Sequence, residues 1–585
     1  MRARQHNQEP GRRGRDPRLT IIAVFLWCGI AVIAVRLFAI GVVSHSFYAA
    51  LAENQHGLFE ELYPERGAIY LSDPKSPEGR FPAAVNKTLW QVYADPRAVK
   101  DPKKTAEALV PLLGLDAADT LQKLQRPETS YVPLRRKQSD ATRDAIERLD
   151  LAGIGFAKEK SRFYPDSPEA AHLIGFLGSD AKGNQVGRYG IEGYWNAQLS
   201  GQAGFLSSEK DPFGRWIGAA ARDLRPAVNG DELTLTIDRT IQHVACDKLR
   251  TAVLKHQADS GSLVILEPRT GAVLAMCGVP DFDANSYSSV SDMSRFNNPT
   301  IFSPWEPGSI FKPITMAAAV DAGKVTPNTT YEDEGSVTIG QFTIKNSDGK
   351  ANGTQTMTQV LEKSLNTGVI YAVRRLGPDL FRRYVEDFGF GEPTGIDLDT
   401  EAAGSIESLS RRGDIWSATA SFGQGLTTTP LQMAVAYAAI ANGGKLMRPY
   451  AVASVRHADG TTVQTEPVAV RQVVTKRAAA QVSGMLVQVV EDGHGKKAGV
   501  PGYWVAGKTG TAQIPKKDGS GYEKDQSVGS FAGFAPVNNP AFVMVVRIDR
   551  PKDVEWAESS AAPLFGDIAS FLLQYMEIMP ERPIK

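Results

Sequence analysis

The chain has 585 residues, of which 42% are apolar and 22% charged, with Lys+Arg and Asp+Glu equal at 65 each. That length and apolar content allow two or more packed domains and exclude a compositionally disordered chain. The zero net charge gives no ground for a nucleic-acid partner or for general attraction to anionic surfaces.

Charge is concentrated at the start. Residues 1–18 carry Arg2, Arg4, Arg12, Arg13, Arg15 and Arg18 against Glu9 and Asp16, with little that is apolar, and predict a solvated cytoplasmic tail. The run LTIIAVFLWCGIAVIAVRLFAIGVV, residues 19–43, is long enough at about 1.5 Å per residue to cross a hydrocarbon core of roughly 30 Å. It predicts a single transmembrane helix, with the basic flank inside and everything after Val43 outside the cytoplasm. A cleaved signal peptide, cut near Ser44-His45-Ser46, is the alternative; the apolar stretch exceeds the roughly 7 to 15 residues of a signal core. Arg36 interrupts the span, which fits a protein partner in the membrane and fits snorkelling to the outer interface equally well.

Residues 44–230 mix short apolar stretches with Pro and Gly and show no repeat. PKKTAEALVPLLGL (102–115) has the spacing of an amphipathic helix, and FGRWIGAAARDLRPAVNGDE (213–232) reads as a linker. From residue 231 the elements strengthen: LTLTID (233–238), a helix over 239–257, and two apolar runs, Gly261 to Leu266 and Ala272 to Val279, joined by EPRTG as a hairpin. Strands are predicted at Trp504 to Ile514, Val528 to Phe534 and Ala541 to Ile548, and a helix at Leu564 to Met576. Strands from both ends thus enclose a helical middle, Ile310 to Leu486. This order predicts an α+β domain in which an antiparallel sheet packs against helices and is covered on both faces. Of the three cysteines, Cys28 falls in the apolar span, and Cys246 and Cys277 read as core residues without a disulfide framework. No Cys and His cluster has metal-ligand spacing.

WEPGSIFKPIT (305–315) contains a Ser-x-x-Lys pair. The same spacing recurs at Ser72, Ser179, Ser207 and Ser347, but the Ser309 copy differs: it follows a Pro-Gly turn and opens a helical pattern with Pro313 in its first turn. Ser309 and Lys312, at i and i+3, then share one helix face. Alone, the bland reading of Ser309 is a helix cap. KSLNTG (363–368) places Ser364 and Asn366 two residues apart. They point into one cleft only if the helical pattern from Met357 to Arg375 breaks, which Thr367-Gly368 permits; otherwise they are incidental polar residues. AGKTGTAQ (506–513) follows a strand-prone segment. It offers backbone for an extended peptide, with Gly510 leaving room, Lys508 a positive charge and the Thr hydroxyls hydrogen bonds; a bulged strand with a solvated lysine is the plain alternative.

Ser-x-x-Lys, Ser-x-Asn and Lys-Thr-Gly in this order form a trio far more specific than its parts. With RGAIY (66–70), RFYP (162–165), GRYGIE (187–192), LTLTID, EPGSIFKP (306–313) and TTTPLQMAVAYAAIANGG (427–444), the chain resembles a class B penicillin-binding protein, a monofunctional peptidoglycan D,D-transpeptidase of the septal, cell-division type. The resemblance implies a cytoplasmic tail (1–18), a transmembrane helix (19–43), an elongated pedestal or dimerisation-type domain (44–230) and a β-lactamase-like transpeptidase domain (231–585). The location implied is the bacterial inner membrane, single-pass, with the catalytic domain outside the cytoplasm.

It also implies roles. Ser309 attacks the penultimate D-Ala carbonyl of a stem peptide, on lipid-linked or nascent glycan, and a second strand's amine resolves the acyl-enzyme. Lys312 is the base, which must be neutral and so needs desolvation or a nearby cation such as Lys508. Ser364 relays a proton, Asn366 holds the peptide amide, and Lys508, Thr509 and Thr511 bind the terminal carboxylate. Gly510 and its strand align the donor, and the Ser309 and Thr511 N–H groups form the oxyanion hole. β-Lactams would acylate Ser309, no cofactor or metal is needed, and polymerisation falls to a membrane glycosyltransferase and other division proteins met through the transmembrane helix and the pedestal. Two departures, Asn298 in place of a frequent arginine and VEWAESSAAPLF in place of a Gly-rich segment, are expected to leave the chemistry untouched. Alternatives are an elongation-type transpeptidase, a secreted β-lactamase, and a non-catalytic penicillin-binding sensor or scaffold.

Overall fold

The computed structural model describes residues 17–43, 57–126, 128–209, 223–516 and 521–583, which divide into two compact units. The tail up to residue 16 and the Ser44 to Ser46 segment lie outside the described residues. The first unit takes residues up to Pro64 together with 202–228. In it Pro17–Phe38 is a 22-residue helix on which Phe25, Trp27 and Val35 are exposed. Counted over the described residues, no helix is long and apolar enough to cross a membrane. Gly57–Leu62, Gly204–Glu209 and Asp223–Arg225 form an antiparallel sheet. The stretch read as a linker is therefore partly strand: Asp223–Arg225 pairs with Phe205–Ser207 despite its polar, Arg-rich composition.

The second unit begins at Glu65. β1 (Ile69–Ser72), β2 (Arg80–Ala94), β3 (Val132–Gln138) and β4 (Ile154–Phe163) precede β5 (Glu232–Asp238), with β2 carrying β1, β3 and β4 as antiparallel partners. β5, the LTLTID segment, runs parallel to β1 and antiparallel to Val452–Arg456, and buries Leu233, Leu235 and Ile237 by its period-two alternation. The predicted helix appears as α1 (Pro102–Leu113), started by Asp101, whose side chain accepts from Lys104 N, and stopped by Gly114 in the left-handed region.

Three of the quoted segments meet at one buried carboxylate. Glu192 is 0% exposed and accepts from Arg66 Nε at 2.7 Å and from Arg162 Nε at 2.7 Å. Burial alone would raise its pKa, but Arg162 and Arg66 outweigh that and leave it below the ordinary value.

Next come α2 (Arg239–Lys255), capped by Asp238, the hairpin β6 (Ser260–Leu266) and β7 (Val273–Val279), and α3 (Lys312–Asp321). The middle supplies β8 (Thr330–Asp333), β9 (Ser336–Ile339), β10 (Phe342–Lys345), β11 (Gly353–Thr356), α4 (Met357–Glu362), α5 (Asn366–Leu376), α6 (Pro430–Ala441) and α7 (Lys476–Glu491). The chain closes with β12 (Ala506–Pro515), β13 (Tyr522–Ala535), β14 (Phe542–Asp549) and α8 (Ala561–Tyr575). The expected sheet forms as an antiparallel layer in the order β7-β6-β14-β13-β12. Leu263 and Ile265 join the core with α2 and α8, whereas Val264 and Leu266 join that of α3, α6 and α7, so both faces are covered. One expectation is overturned here: Cys246 of α2 and Cys277 of β7 form a disulfide rather than two separate core thiols. The odd cysteine count concealed the pair, because Cys28 sits in the N-terminal helix and takes no part.

Candidate active site

The site is assembled by three local departures from regular structure. In the first, Gly308–Phe311 makes a single tight turn leading into α3, and Gly308 adopts φ +58° with its N–H donating to Gly423 O at 3.1 Å. Ser309 is half-buried at this turn, and Tyr437 of α6, itself fully buried, donates its hydroxyl to Ile310 O at 2.7 Å. Pro313 falls in the first turn of α3, where no backbone bond is lost.

The second departure is the break between α4 and α5. It falls at Ser364, which has φ +56°, a left-handed conformation uncommon for serine. The break on which a shared cleft for Ser364 and Asn366 depends is therefore present; Thr367 and Gly368, read as permitting it, are buried within α5, where a Cβ on Gly368 would lie 2.2 Å from Val360 Cγ2 and only glycine lets α4 and α5 approach. The break brings Ser364 to Lys312 and puts Asn366 on the cleft wall, with Asn366 Nδ2 donating to Lys345 O at 2.8 Å.

Third, β12 is an edge strand of the sheet, paired on one side only, with β13. A Cβ on Gly510 would lie 2.9 Å from Ile310 Cγ2 and 3.1 Å from Pro307 O. The room expected at Gly510 is therefore taken by the turn that carries Ser309.

Lys312 is 0% exposed, and its Nζ donates to Ser364 O at 2.5 Å and to Ser364 Oγ at 3.1 Å. Burial, and after it the charge of Lys508, hold its pKa well below the ordinary lysine value. Lys508 is also fully buried; desolvation brings its pKa from 10.5 to about 7, and its Nζ donates to Thr509 O at 3.1 Å and more weakly to Thr509 Oγ1 at 3.4 Å.

In front of these groups opens a cleft of about 850 Å³, lined by Ser309, Asn366 and Thr511 together with Thr343 to Lys345, Gln424 and Trp556. Lys312, Lys508, Thr509 and Gly510 are buried and are not part of the lining. Thr511 Oγ1 accepts from Ala557 N at 3.1 Å, which leaves its own proton free to be donated into the cleft. The segment from Pro551 to Trp556 is a wall of the cleft, so the expectation that VEWAESSAAPLF stays clear of the chemistry does not hold. Asn298 does stay clear: it is buried and caps Pro299–Phe302, accepting from Thr300 N.

Two side chains without a motif of their own also hold the site. Glu306 accepts from Tyr522 Oη and from Gly425 N, each at 3.0 Å, tying the Ser309 turn to the β12–β13 hairpin, and burial raises its pKa. Asp333, 1% exposed, accepts from Thr367 Oγ1 at 2.6 Å. Glu306 lay unassigned in EPGSIFKP, and nothing in sequence separates Asp333 from neighbouring acids in a polar hairpin. Among the described residues no group of three or more His, Cys, Asp or Glu is placed to hold a metal ion.

The chain matches the penicillin binding protein transpeptidase domain over residues 261–570 and the penicillin-binding protein dimerisation domain over residues 61–235. It is 33% identical over 573 residues to stage V sporulation protein D of Bacillus subtilis, covering 97% of this chain and 86% of that protein. It is 31% identical over 599 residues to peptidoglycan D,D-transpeptidase FtsI of Escherichia coli K12, covering 99% and 96%. Among solved structures it resembles penicillin binding protein 3 of Mycobacterium tuberculosis complexed with aztreonam, with TM-score 0.67, 26% identity, and coverage of 90% of this chain and 99% of that one. Penicillin binding protein 2X of Streptococcus thermophilus shares the fold at TM-score 0.72 and 22% identity, with coverage of 89% and 80%. A lysine buried between the Ser-x-x-Lys, Ser-x-Asn and Lys-Thr-Gly segments, in a chain matched along nearly its whole length, has one family home: the protein belongs to the class B penicillin-binding proteins, penicillin-sensitive serine-type peptidoglycan D,D-transpeptidases.

Proposed function

We propose that Ser309 is the acylated nucleophile and Lys312 its base, in an enzyme that cross-links stem peptides during septal wall synthesis. The observation that carries this reading is the contact of Lys312 Nζ with both oxygens of Ser364 in a fully buried setting. A neutral amine has two N–H groups and one lone pair. Both N–H groups are engaged by Ser364, and the lone pair is left for the Ser309 proton.

In the first half-reaction Lys312 takes that proton as Ser309 Oγ bonds to the penultimate D-Ala carbonyl carbon, whose oxygen becomes the oxyanion held by the Ser309 and Thr511 N–H groups. Collapse breaks the C–N bond to the terminal D-Ala. The proton passes from Lys312 through Ser364 to that leaving nitrogen, and terminal D-Ala departs as a free amine with its carboxylate still ionised. In the second half-reaction an acceptor amine on another strand attacks the ester, gives its proton back along the same path to Ser309 Oγ, and leaves an amide cross-link. Asn366 takes the peptide amide. Thr511 donates to the terminal carboxylate, while Lys508 and Thr509 supply positive potential and order from beneath the strand. A β-lactam follows the first half and stops at the ester.

The division of the chain into tail (1–18), membrane anchor (19–43), pedestal (44–230) and transpeptidase domain (231–585) belongs to the same proposal. The apolar run of residues 19–43 supports the anchor, and the Cys246–Cys277 disulfide supports a catalytic domain outside the reducing cytoplasm. Arg36 and the pedestal are then the surfaces for a membrane glycosyltransferase and other division proteins. The Lys-Thr-Gly-Thr form and the similarity to proteins named FtsI support the septal role over lateral-wall elongation.

The test is mass spectrometry of the full chain after incubation with labelled penicillin, which should find the acyl group on Ser309. An adduct on another side chain, or none, removes the reading. A fluorescent fusion should concentrate at midcell; a lateral-wall pattern would overturn the septal assignment alone.

A further inference from the structure

Ser364 is held in a left-handed conformation uncommon for serine, with Lys312 Nζ donating to both of its oxygens. Three residues on, Thr367 donates to a buried carboxylate that the mechanism does not use, Asp333. Asp333 ends β8, and its two oxygens are surrounded by donors. Oδ1 accepts from Thr367 Oγ1 at 2.6 Å, Asn346 Nδ2 at 3.0 Å and Gly335 N at 3.1 Å. Oδ2 accepts from Asn346 Nδ2 at 2.9 Å, Asn352 Nδ2 at 2.8 Å and Asn352 N at 3.0 Å. Asn346 closes the ring by accepting from Thr367 N at 3.2 Å. Every one of these bonds needs an acceptor, which suits an ionised carboxylate and no neutral replacement.

The partners fall into two groups. Gly335 and Asn346 flank the base of the β9–β10 hairpin, whose Thr343, Ile344 and Lys345, followed by Ser347, line the cleft, and Asn352 directly precedes β11. Thr367 is in the first turn of α5, directly after Asn366 and three residues after Ser364. We infer that Asp333 is a positioning residue, a clasp that keeps the Ser364 turn and the hairpin wall of the cleft in one fixed relation. The Asn366 to Lys345 bond spans the same seam from the cleft side. A misplacement of about 1 Å in such a turn is enough to cost on the order of a hundredfold in rate.

The inference rests on Ser309 as the nucleophile, and the test separates the two. Acylation by a fluorescent penicillin is followed for Asp333→Asn, Thr367→Val, Thr367→Ser and the Asp333→Asn/Thr367→Val double variant of the full chain. Each record gives the amplitude, which reports the folded fraction, and the rate constant at saturating drug. Asp333→Asn and Thr367→Val should each lower that rate constant at least about tenfold. Thr367→Ser, which keeps the hydroxyl, should stay close to the unaltered protein, and the double variant should be no slower than the slower single one, because both break the same clasp. A purely structural role would reduce amplitude and leave the rate constant of the labelled fraction unchanged, and that result overturns the proposal. If Asp333→Asn does not accumulate as folded protein, Thr367→Val against Thr367→Ser decides alone. Absence of Ser309 labelling in the unaltered chain would remove the nucleophile assignment instead.

Discussion

Lys312 Nζ and Ser364 are joined twice, through the serine carbonyl at 2.5 Å and its hydroxyl at 3.1 Å, and Ser364 pays for that geometry with φ +56°. Both contacts engage the amine's N–H groups with Ser364 and, in the proposed reaction, leave its lone pair for the Ser309 proton. Replacing Lys312 by Met keeps most of the volume and removes the lone pair. Penicillin acylation of Lys312→Met should fall by about 10² to 10⁴, the range of a positioned general base. Its melting temperature should change little, because a buried amine that must be desolvated adds little to stability and Met fills the same space. Acylation near the normal rate would show that the proton of Ser309 goes elsewhere.

Lys508 sets the pH behaviour. Productive free enzyme needs Lys312 neutral and Lys508 charged. As pH rises, acylation should climb while Lys312 loses its proton below the ordinary lysine range, then decline as Lys508 titrates at about 7. In Lys508→Arg the cation persists and the alkaline decline should disappear. The same group marks stability. In the unfolded chain Lys508 keeps its proton up to 10.5, whereas in the fold it has released it by about 7, so the unfolded state binds more protons in that window. Stability of the unliganded protein should therefore rise with pH across it, and urea denaturation at about pH 6 and about pH 9 measures the difference. A Lys508→Met variant that keeps the full slope would contradict the assignment.

What could be read in advance was the order of chemical parts, and what could not was the way the backbone bends to join them. The sheet was legible because runs such as Gly261 to Leu266 are apolar on both faces and hairpin residues punctuate them. Ser309 stood out because a Pro-Gly turn preceded it. The α4–α5 break was legible only as a condition for Ser364 and Asn366 to share a cleft; Gly368, read as permitting it, instead lets Val360 pack against α5, while the left-handed turn falls on Ser364, a residue with no local signal for it. Gly510 was likewise read toward the ligand, when its missing side chain serves the Ser309 turn. Asp333 was invisible, since only the folded hairpin gathers its donors from residues up to thirty-four positions away. The Cys246–Cys277 pair was hidden by a third cysteine in another environment.

Gly510→Ala probes the contact between β12 and the nucleophile turn. The added methyl would sit 2.7 Å from Ser530 Oγ as well as 2.9 Å from Ile310 Cγ2, distances that force one element to move. Overpacking of this kind costs about 1–3 kcal/mol, read as a lower melting temperature. Because the turn carries Ser309 and the strand carries Thr511, acylation should fall by more than the stability loss explains. Gly484→Ala, at a glycine of α7 with nothing within 4 Å of a Cβ and no positive φ, is the control for a generic glycine effect. Equal acylation in Gly510→Ala and the unaltered protein would show that the two elements are not mutually fixed.

The pedestal cluster makes the opposite prediction, a loss of stability without a loss of chemistry. Glu192 pairs with both Arg66 and Arg162, and both guanidinium groups are nearly as buried as it is. In Glu192→Gln the shape survives but two cations lose their counter-charge, and breaking a buried pair from one side costs about 3–5 kcal/mol. Since the folded Glu192 has a lowered pKa, its contribution is complete above the ordinary value of 4.5 and is lost as pH falls through the folded value. Stability of the unaltered protein and of Glu192→Gln should therefore converge on acidification and differ most near neutrality. The acylation rate constant of the folded fraction should be the same in both, because no residue of the cluster lines the cleft. Thermal melts across pH, paired with acylation amplitudes and rates, measure both halves. A slowed rate constant in Glu192→Gln would mean that the pedestal cluster governs the catalytic turn and not only the fold around it.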